Sequence, residues 1–426
     1  MRQHGNIRRY GVPSRRARSA VRRGVKRLAF VLGIRPDVIR AALIIEQLRR
    51  YDDMEFVFIW SGQHYSDNLK DVFFRELDVA PAQIDLGARG DTDAEVVASV
   101  IGRLGPVLAE LRPEATVFLG DTNTTTGAIA SAQLNIPIVH IEGCMRSYDW
   151  RMPEEKYRVT IDHLSDVIYA YYPEYKEQGV REGLNPDSIV VVMNPIVDIL
   201  QKFYFERREK FRRLADRAFF AARNVEPGQY YLMTCHRREN LERDSLDAVI
   251  RLVARSPYPI FFPASYRVQK LLAERGQQLP ANVRAVDPIG YDEFLALMAN
   301  ARGVITDSGT VVEETCVLQV PSLQMRHSTE RPQVYDVGSS VKFDPFEPDR
   351  YPAEVVFGKL EALHGASWDA SVLGDGRASE RIADDLHHRL AEGGFARHRP
   401  ELYHISVARS YRDDGLPIPP RPEVTA

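Results

Sequence analysis

A chain of 426 residues is longer than one hydrophobic core usually organises, so two domains are expected. With 44% hydrophobic and 27% charged residues and a formal net charge of -3, the composition is that of a soluble globular protein and the overall balance names no partner. No run reaches the ~20 apolar residues of a membrane helix, the amino terminus lacks the apolar segment of a secretory signal, and Cys144, Cys235 and Cys316 lie far apart with no C-x-x-C pair. That cysteine usage fits a reducing cytoplasm and excludes structural zinc.

Charge is uneven along the chain. Residues 1–35 contain no acidic side chain, while ten basic residues from Arg2 to Arg27 crowd the first 27 positions. Residues 1–25 therefore read as a basic disordered extension, with a nucleic-acid or anionic-membrane arm as the second reading. Nucleic acid is not expected as a partner.

From there the chain alternates. A strand over 27–31 leads into the turn Gly33-Ile34-Arg35-Pro36-Asp37, where Pro36 suits a first helical turn because it has no N–H to lose. A helix over 38–50 places Ile39, Leu43 and Leu48 near one face. A strand over 56–60, a loop over 61–64, and helices over 67–76 and 95–111 follow. Residues 117–155 then read as strand, helix, strand, with Asp121, Glu142, Glu154 and Glu155 where the elements stop. Its Thr-rich helix start offers hydroxyls to an anion, or it merely caps a helix. A helix over 156–165 and strands over 167–170 and 189–192 complete a doubly wound pattern. Residues 195–223 are charged and aromatic and read as helix or linker.

The alternation restarts with strands over 230–233, 260–262, 283–286, 303–306 and 322–325, and helices after Asn240, over 291–299 and from Val311. Each half thus has a strand feeding an Arg-rich turn and, later, a strand entering a D-S/T-rich turn. The expected fold is α/β, two Rossmann-like doubly wound parallel-sheet domains facing a cleft. The expected boundaries are 26–198 for the sugar-side domain, 199–372 for the second, and 373–426 for a last helix (379–390) and a Pro-rich disordered end.

Three groups of residues could carry chemistry. Arg35, Arg40, His236, Arg237, Arg238, Arg326 and Arg331 fall at or just after strand ends, where guanidiniums suit a diphosphate. Asp307-Ser308-Gly309-Thr310 opens a helix whose dipole and N–H groups favour phosphate, and Glu313 and Glu314 one turn on could accept from a ribose hydroxyl or simply offset the dipole. Asp121, Glu142 and Glu154 could supply acid and base to two faces of a sugar, or pair with the arginines. Nothing has metal spacing, and no G-x-G-x-x-G follows the first strand.

These motifs occur together in one order: Gly33-x-Arg35-Pro36-Asp37 with Arg40, Gly62-Gln63-His64, Gly120-Asp121-Thr122, His140-x-Glu142-Gly143, Arg151-x-Pro153-Glu154-Glu155, His236-Arg237-Arg238-Glu239-Asn240, Asp307-Ser308-Gly309 with Glu313-Glu314, and Glu330-Arg331-Pro332. Over residues 26–343 the chain resembles the non-hydrolysing UDP-N-acetylglucosamine 2-epimerases. The resemblance implies a glycosyltransferase-B-like fold, a homodimer, and a reaction in surface-polysaccharide precursor synthesis that needs no cofactor and no metal. In that reaction UDP is eliminated across C1 and C2 and added back after protonation of the opposite face. It implies catalytic roles for Asp121, Glu142, Glu154 and His236, and UDP-sugar contacts for Arg35, Arg40, Arg146, Arg237, Ser308, Gly309, Thr310, Glu314 and Arg331.

The departures are specific. Thr310 stands where many members have a second glycine, the loop 147–152 is short, Arg40 replaces the usual lysine, and Asp67 stands in place of the methionine of the bacterial allosteric motif. The first two look like relatives that epimerise modified sugars, such as UDP-activated 2-acetamido-6-deoxy-talose or 2,3-diacetamido-glucuronic acid. The last argues against activation by substrate. A hydrolysing 2-epimerase and a glycosyltransferase of the same fold are the rival enzymes.

Overall fold

The structure, a computed structural model, describes residues 8–9, 25–62, 82–392 and 395, with the side chains at 8, 9, 35 and 36 outside the description. The expected helix over 67–76, the Gln63-His64 pair and the Pro-rich end lie outside the described residues. So does most of the basic arm.

The strands are short apolar runs, and several are buried along their whole length, as in Ala115–Leu119. Strands covered on both faces pair in parallel and need helical crossovers. The first sheet comprises β1 (Arg8–Arg9), β2 (Lys26–Leu32), β3 (Met54–Trp60), β4 (Ile84–Asp85), β5 (Ala115–Leu119), β6 (Ile138–Ile141), β7 (Val167–Ala170) and β8 (Ile189–Val191). Its order is β1-β4-β3-β2-β5-β6-β7-β8, parallel throughout except for β1, which pairs antiparallel with β4 at the edge. The second sheet comprises β9 (Tyr231–Thr234), β10 (Ile260–Pro263), β11 (Val283–Val286), β12 (Gly303–Thr306), β13 (Ser322–Met325) and β14 (Ser340–Phe343). It runs β11-β10-β9-β12-β13-β14, all parallel.

In both sheets the strand order reverses at one point, β2 beside β5 in the first and β9 beside β12 in the second. In open α/β sheets the crevice beyond the carboxyl ends at such a reversal is where ligands bind. Those four strand ends carry the Arg35–Asp37 turn, Gly120-Asp121, His236-Arg237 and Asp307-Ser308.

The helices follow local rules. In α1 (Arg35–Leu48) Pro36 occupies the first turn. In α2 (Asp93–Leu111) Thr92 and Glu95 form a reciprocal capping box, and Val100, Leu104, Val107, Leu108 and Leu111 bury one stripe. α3 (Pro153–Leu164) starts on proline and carries Glu154 and Glu155 in its first turn, where the helix dipole favours carboxylates. The segment expected as helix or linker is helical, beginning with α4 (Pro195–Leu200) and a π turn over Gln201–Phe205. α5 (Gly309–Val317) leads out of the Asp307 turn. The last helix, α6 (Ala378–Ala391), returns to pack on α1 and α4, and Asp198 accepts its Ala378 and Ser379 N–H groups at 3.2 and 2.7 Å. Sequence periodicity had not indicated β14 or the helices Pro173–Arg181, Tyr266–Glu274 and Ala353–Leu363. Among the described residues no helix is long and apolar enough to cross a membrane.

Candidate functional site

The first domain brings its carboxylates together by two sharp strand exits. After β5, Gly120 adopts φ +78°, and a side chain there would lie 3.4 Å from Asp37 Oδ1, 3.5 Å from Arg40 Nη2 and 3.6 Å from Glu142 Oε2. Glycine suits this point because its φ is in the left-handed region, which strains a side-chain-bearing residue; the three charged groups lie at ordinary contact distance. Asp121 follows and pairs with Arg158 of α3. Burial works to raise its carboxyl, but Arg158 and then Arg237 outweigh it and hold it below the ordinary range. The hydroxyls beyond it are consumed locally. Thr122 accepts from Thr124 N at 3.4 Å, Thr125 donates to the Thr122 carbonyl at 2.7 Å, and Thr124 meets Ser61 at 2.9 Å.

After β6, Glu142 takes φ +76° and pairs with Arg40 and, at 2.5 Å, with Arg331 of the second domain. At the head of α3 the two glutamates separate in role. Glu155 accepts from Ser147 N at 3.1 Å, Tyr148 N at 2.9 Å and Arg158 at 2.9 Å, which pins the short loop 147–152. Glu154 Oε2 is buried with no hydrogen-bond partner, and burial raises this carboxyl against the pull of Arg237.

In the second domain one buried carboxylate organises the turn. Asp307 accepts from His236 N at 2.8 Å, Arg237 N at 2.9 Å and Asn240 Nδ2 at 3.2 Å, and faces His236 Nδ1 at 3.1 Å. Burial opposes the charged form of both partners; their mutual attraction prevails, lowering Asp307 and raising His236. His236 keeps 53% of its side chain open to solvent. Ser308 caps α5 through Val311 N at 3.4 Å. A side chain at Gly309 would come within 2.3 Å of Arg331 Nε, so this helix start is packed directly against the arginine. Thr310 is the next, half-buried residue of α5. Glu314 accepts from Tyr291 at 2.6 Å, and Glu313 from Arg331 at 2.7 Å.

Charge pairs bridge the domains at the cleft floor. Besides Arg331–Glu142, Arg158 of the first domain lies 3.4 Å from Glu330 of the second, and Glu330 also faces Arg326 at 2.7 Å and Arg237 at 3.4 Å. Asp121, Glu142, Glu154, Arg40, His236, Arg237, Ser308, Gly309 and Arg331 thus line one region. The side chain of Arg35 lies outside the description. Arg146, expected as a substrate contact, is not brought there: its guanidinium is taken by Asp162 at 2.8 Å and Glu182 at 2.6 Å. Sequence reasoning missed Arg158 and the role of Glu330. The spacing of Arg158, three and four residues after Glu155 and Glu154 on one helix, was the available signal.

Two parallel sheets with the same reversal, joined at their carboxyl ends around arginines, a helix start and three carboxyls, define a glycosyltransferase-B-like two-domain protein. The chain belongs to the UDP-N-acetylglucosamine 2-epimerase family, whose model matches residues 46–387. It is 33% identical over 369 residues to the UDP-N-acetylglucosamine 2-epimerase of Methanocaldococcus jannaschii, covering 84% of this chain and 97% of that one. The crystal structure of the M. jannaschii enzyme in complex with UDP-GlcNAc and UDP superposes with a TM-score of 0.76 at 31% identity, covering 85% of this chain and 99% of that one. A UDP-2,3-diacetamido-2,3-dideoxy-D-glucuronate 2-epimerase of Pseudomonas aeruginosa is 26% identical over 84% of this chain and 98% of its own length.

Proposed function

We propose that the protein interconverts UDP-N-acetylglucosamine, or a close UDP-2-acetamido sugar, with its C2 epimer by elimination and re-addition of UDP. A base takes the C2 proton, the C1–O bond to UDP breaks, and a C1=C2 double bond forms. A proton then reaches the opposite face of C2 while a UDP oxygen attacks C1. The observation that carries this reading is the split among the carboxyls. Asp121 and Glu142 are ion-paired with arginines, whereas Glu154 has an unpartnered oxygen and is pushed toward its protonated form. A proton donor and a carboxylate in one site are what transfer at two faces requires.

Departure of UDP needs fixed positive charge, for which His236 and the Ser308-Gly309 helix start are the proposed source, while Arg331, held by Glu142 and Glu313, backs that helix start. Glu314, buried one turn into α5 and accepting from Tyr291, is the proposed ribose contact. Three buried free thiols support a cytoplasmic site, where the product would supply surface-polysaccharide precursors.

The test is turnover of a panel of UDP-2-acetamido sugars that includes UDP-N-acetylglucosamine and the 2,3-diacetamido uronate. Epimer with UDP still attached supports the proposal. Free UDP with free N-acetylmannosamine marks a hydrolysing enzyme, and no turnover of any member refutes it.

A further inference from the structure

We propose that Asp162, on α3 two turns beyond Glu154, is a positioning residue that holds the proton-handling ends of β5 and β6 in one geometry; this rests on the reading of Asp121 and Glu142 given above. Asp162 is fully buried. Its Oδ1 faces His140 Nδ1 at 2.7 Å, and its Oδ2 accepts from Cys144 N at 3.0 Å and Arg146 Nη1 at 2.8 Å. The other ring nitrogen of His140 lies 2.9 Å from the Gly120 carbonyl. An acceptor therefore faces each nitrogen, and the ring ties Asp162 to the residue before Asp121. Through Cys144 N the same carboxylate grips the chain two residues after Glu142.

The gripped segment is one that needs holding. Glu142 and Cys144 have φ of +76° and +63°, a region that a side-chain-bearing residue occupies only where its surroundings enforce it. Between them Gly143 lies so close that a side chain would come within 2.8 Å of Asp162 Oδ1 and 2.2 Å of Ile168 Cγ2. Glu154, Arg158 and Asp162 recur every four residues and share one stripe of α3. That stripe presents Glu154, bonds the Asp121 carboxylate through Arg158, and through Asp162 holds Gly120, by way of His140, and Cys144, the backbone flanking Asp121 and Glu142. It also accounts for Arg146, which serves as counter-charge to Asp162 rather than reaching the cleft.

A carboxylate buried only for stability would raise no expectation for the chemical step. Asp162→Asn in the full chain, with the wild type as reference, separates the two. We expect kcat and C2 deuterium exchange to fall together by about 10- to 100-fold, the scale set by a small misplacement of reacting groups, with KM and UDP affinity within about twofold. His140→Gln, whose amide still reaches the Gly120 carbonyl, is expected to keep more kcat than His140→Ala, and this pair decides the matter if Asp162→Asn does not fold. Wild-type kcat in Asp162→Asn, a fall matched by loss of UDP affinity, or His140→Gln no better than His140→Ala would overturn the proposal. A wild-type enzyme that exchanges no C2 proton would remove the functional reading and this role with it; normal exchange in the variant removes the role alone.

Discussion

The turns at Gly120-Asp121 and Asp307-Ser308 occupy matching places in the two sheets, each at the end of a strand beside the reversal, yet their aspartates work in opposite directions. Asp121 points outward, with 21% of its side chain exposed and Arg158 as its partner, while its threonines close on one another. Asp307 is fully buried and points inward, collecting the His236 and Arg237 backbone so that their side chains face the cleft. The same sequence pattern therefore yields a partly open, arginine-paired carboxylate in one domain, proposed above to handle a proton, and a buried scaffold for backbone N–H groups in the other. The difference arises from what lies beneath: α3 offers Arg158 to the first turn, and the His236–Asn240 loop offers N–H donors to the second.

Exchanging carboxylate for amide at each aspartate tests that contrast most strongly. Asp121→Asn is expected to lower kcat by about 10²- to 10⁴-fold, the usual contribution of a positioned acid or base, with UDP affinity retained in calorimetry. Asp307→Asn should instead weaken UDP binding and lower Tm, because several buried donors lose a charged acceptor. If both variants lose only kcat, the contrast is wrong.

The ground under the first turn makes a pH prediction. Burial pushes the Asp37 carboxyl up from 3.8 to about 7, with Arg40 opposing. The folded state then keeps a proton that the unfolded chain has lost, so this group's contribution falls as pH rises from about 4 to about 7. Asp37→Asn is expected to flatten that part of the stability profile, by an amount on the order of a few kcal/mol, in urea titrations at several pH values. A steeper slope in the variant would contradict the sign.

Two smaller effects separate the helix starts. Gly309→Ala would push a methyl group into Arg331 and is expected to weaken UDP affinity by about tenfold, roughly the loss of one hydrogen bond to a charged group. Thr122→Ala removes a cap, costs about 1 kcal/mol in denaturant unfolding, and leaves kcat unchanged.

Much of this arrangement was legible in the sequence because strand ends announce themselves. Gly120-Asp121, His236-Arg237 and Asp307-Gly309 stand where apolar runs stop, which marks them as strand ends; that these ends lie at the sheet reversals follows from the strand order, which the sequence does not show. Arg146 faces Asp162 and Glu182 for a physical reason. Two non-glycine residues before it, Glu142 and Cys144, adopt positive φ and turn the chain inward, and nothing in their side chains signals that conformation. Arg158 was overlooked because glutamate–arginine pairs at helical spacing are usually solvated. Here its side chain is 2% exposed and spans the cleft, which depends on the second domain being present. The strand β14 was missed since Ser340 and Lys342 interrupt its apolar residues, and Ser340–Phe343 is only partly buried at alternate positions, unlike the wholly buried four-residue strands Gly303–Thr306 and Ser322–Met325.

The central claim is that a proton leaves and returns at C2 while UDP departs and comes back. Incubating the protein with UDP-N-acetylglucosamine in deuterated water and following C2 by NMR tests it directly. Deuterium is expected at C2 in both epimers, with loss of that exchange in Glu154→Gln while UDP binding stays intact. Epimer formed without deuterium at C2 would contradict it.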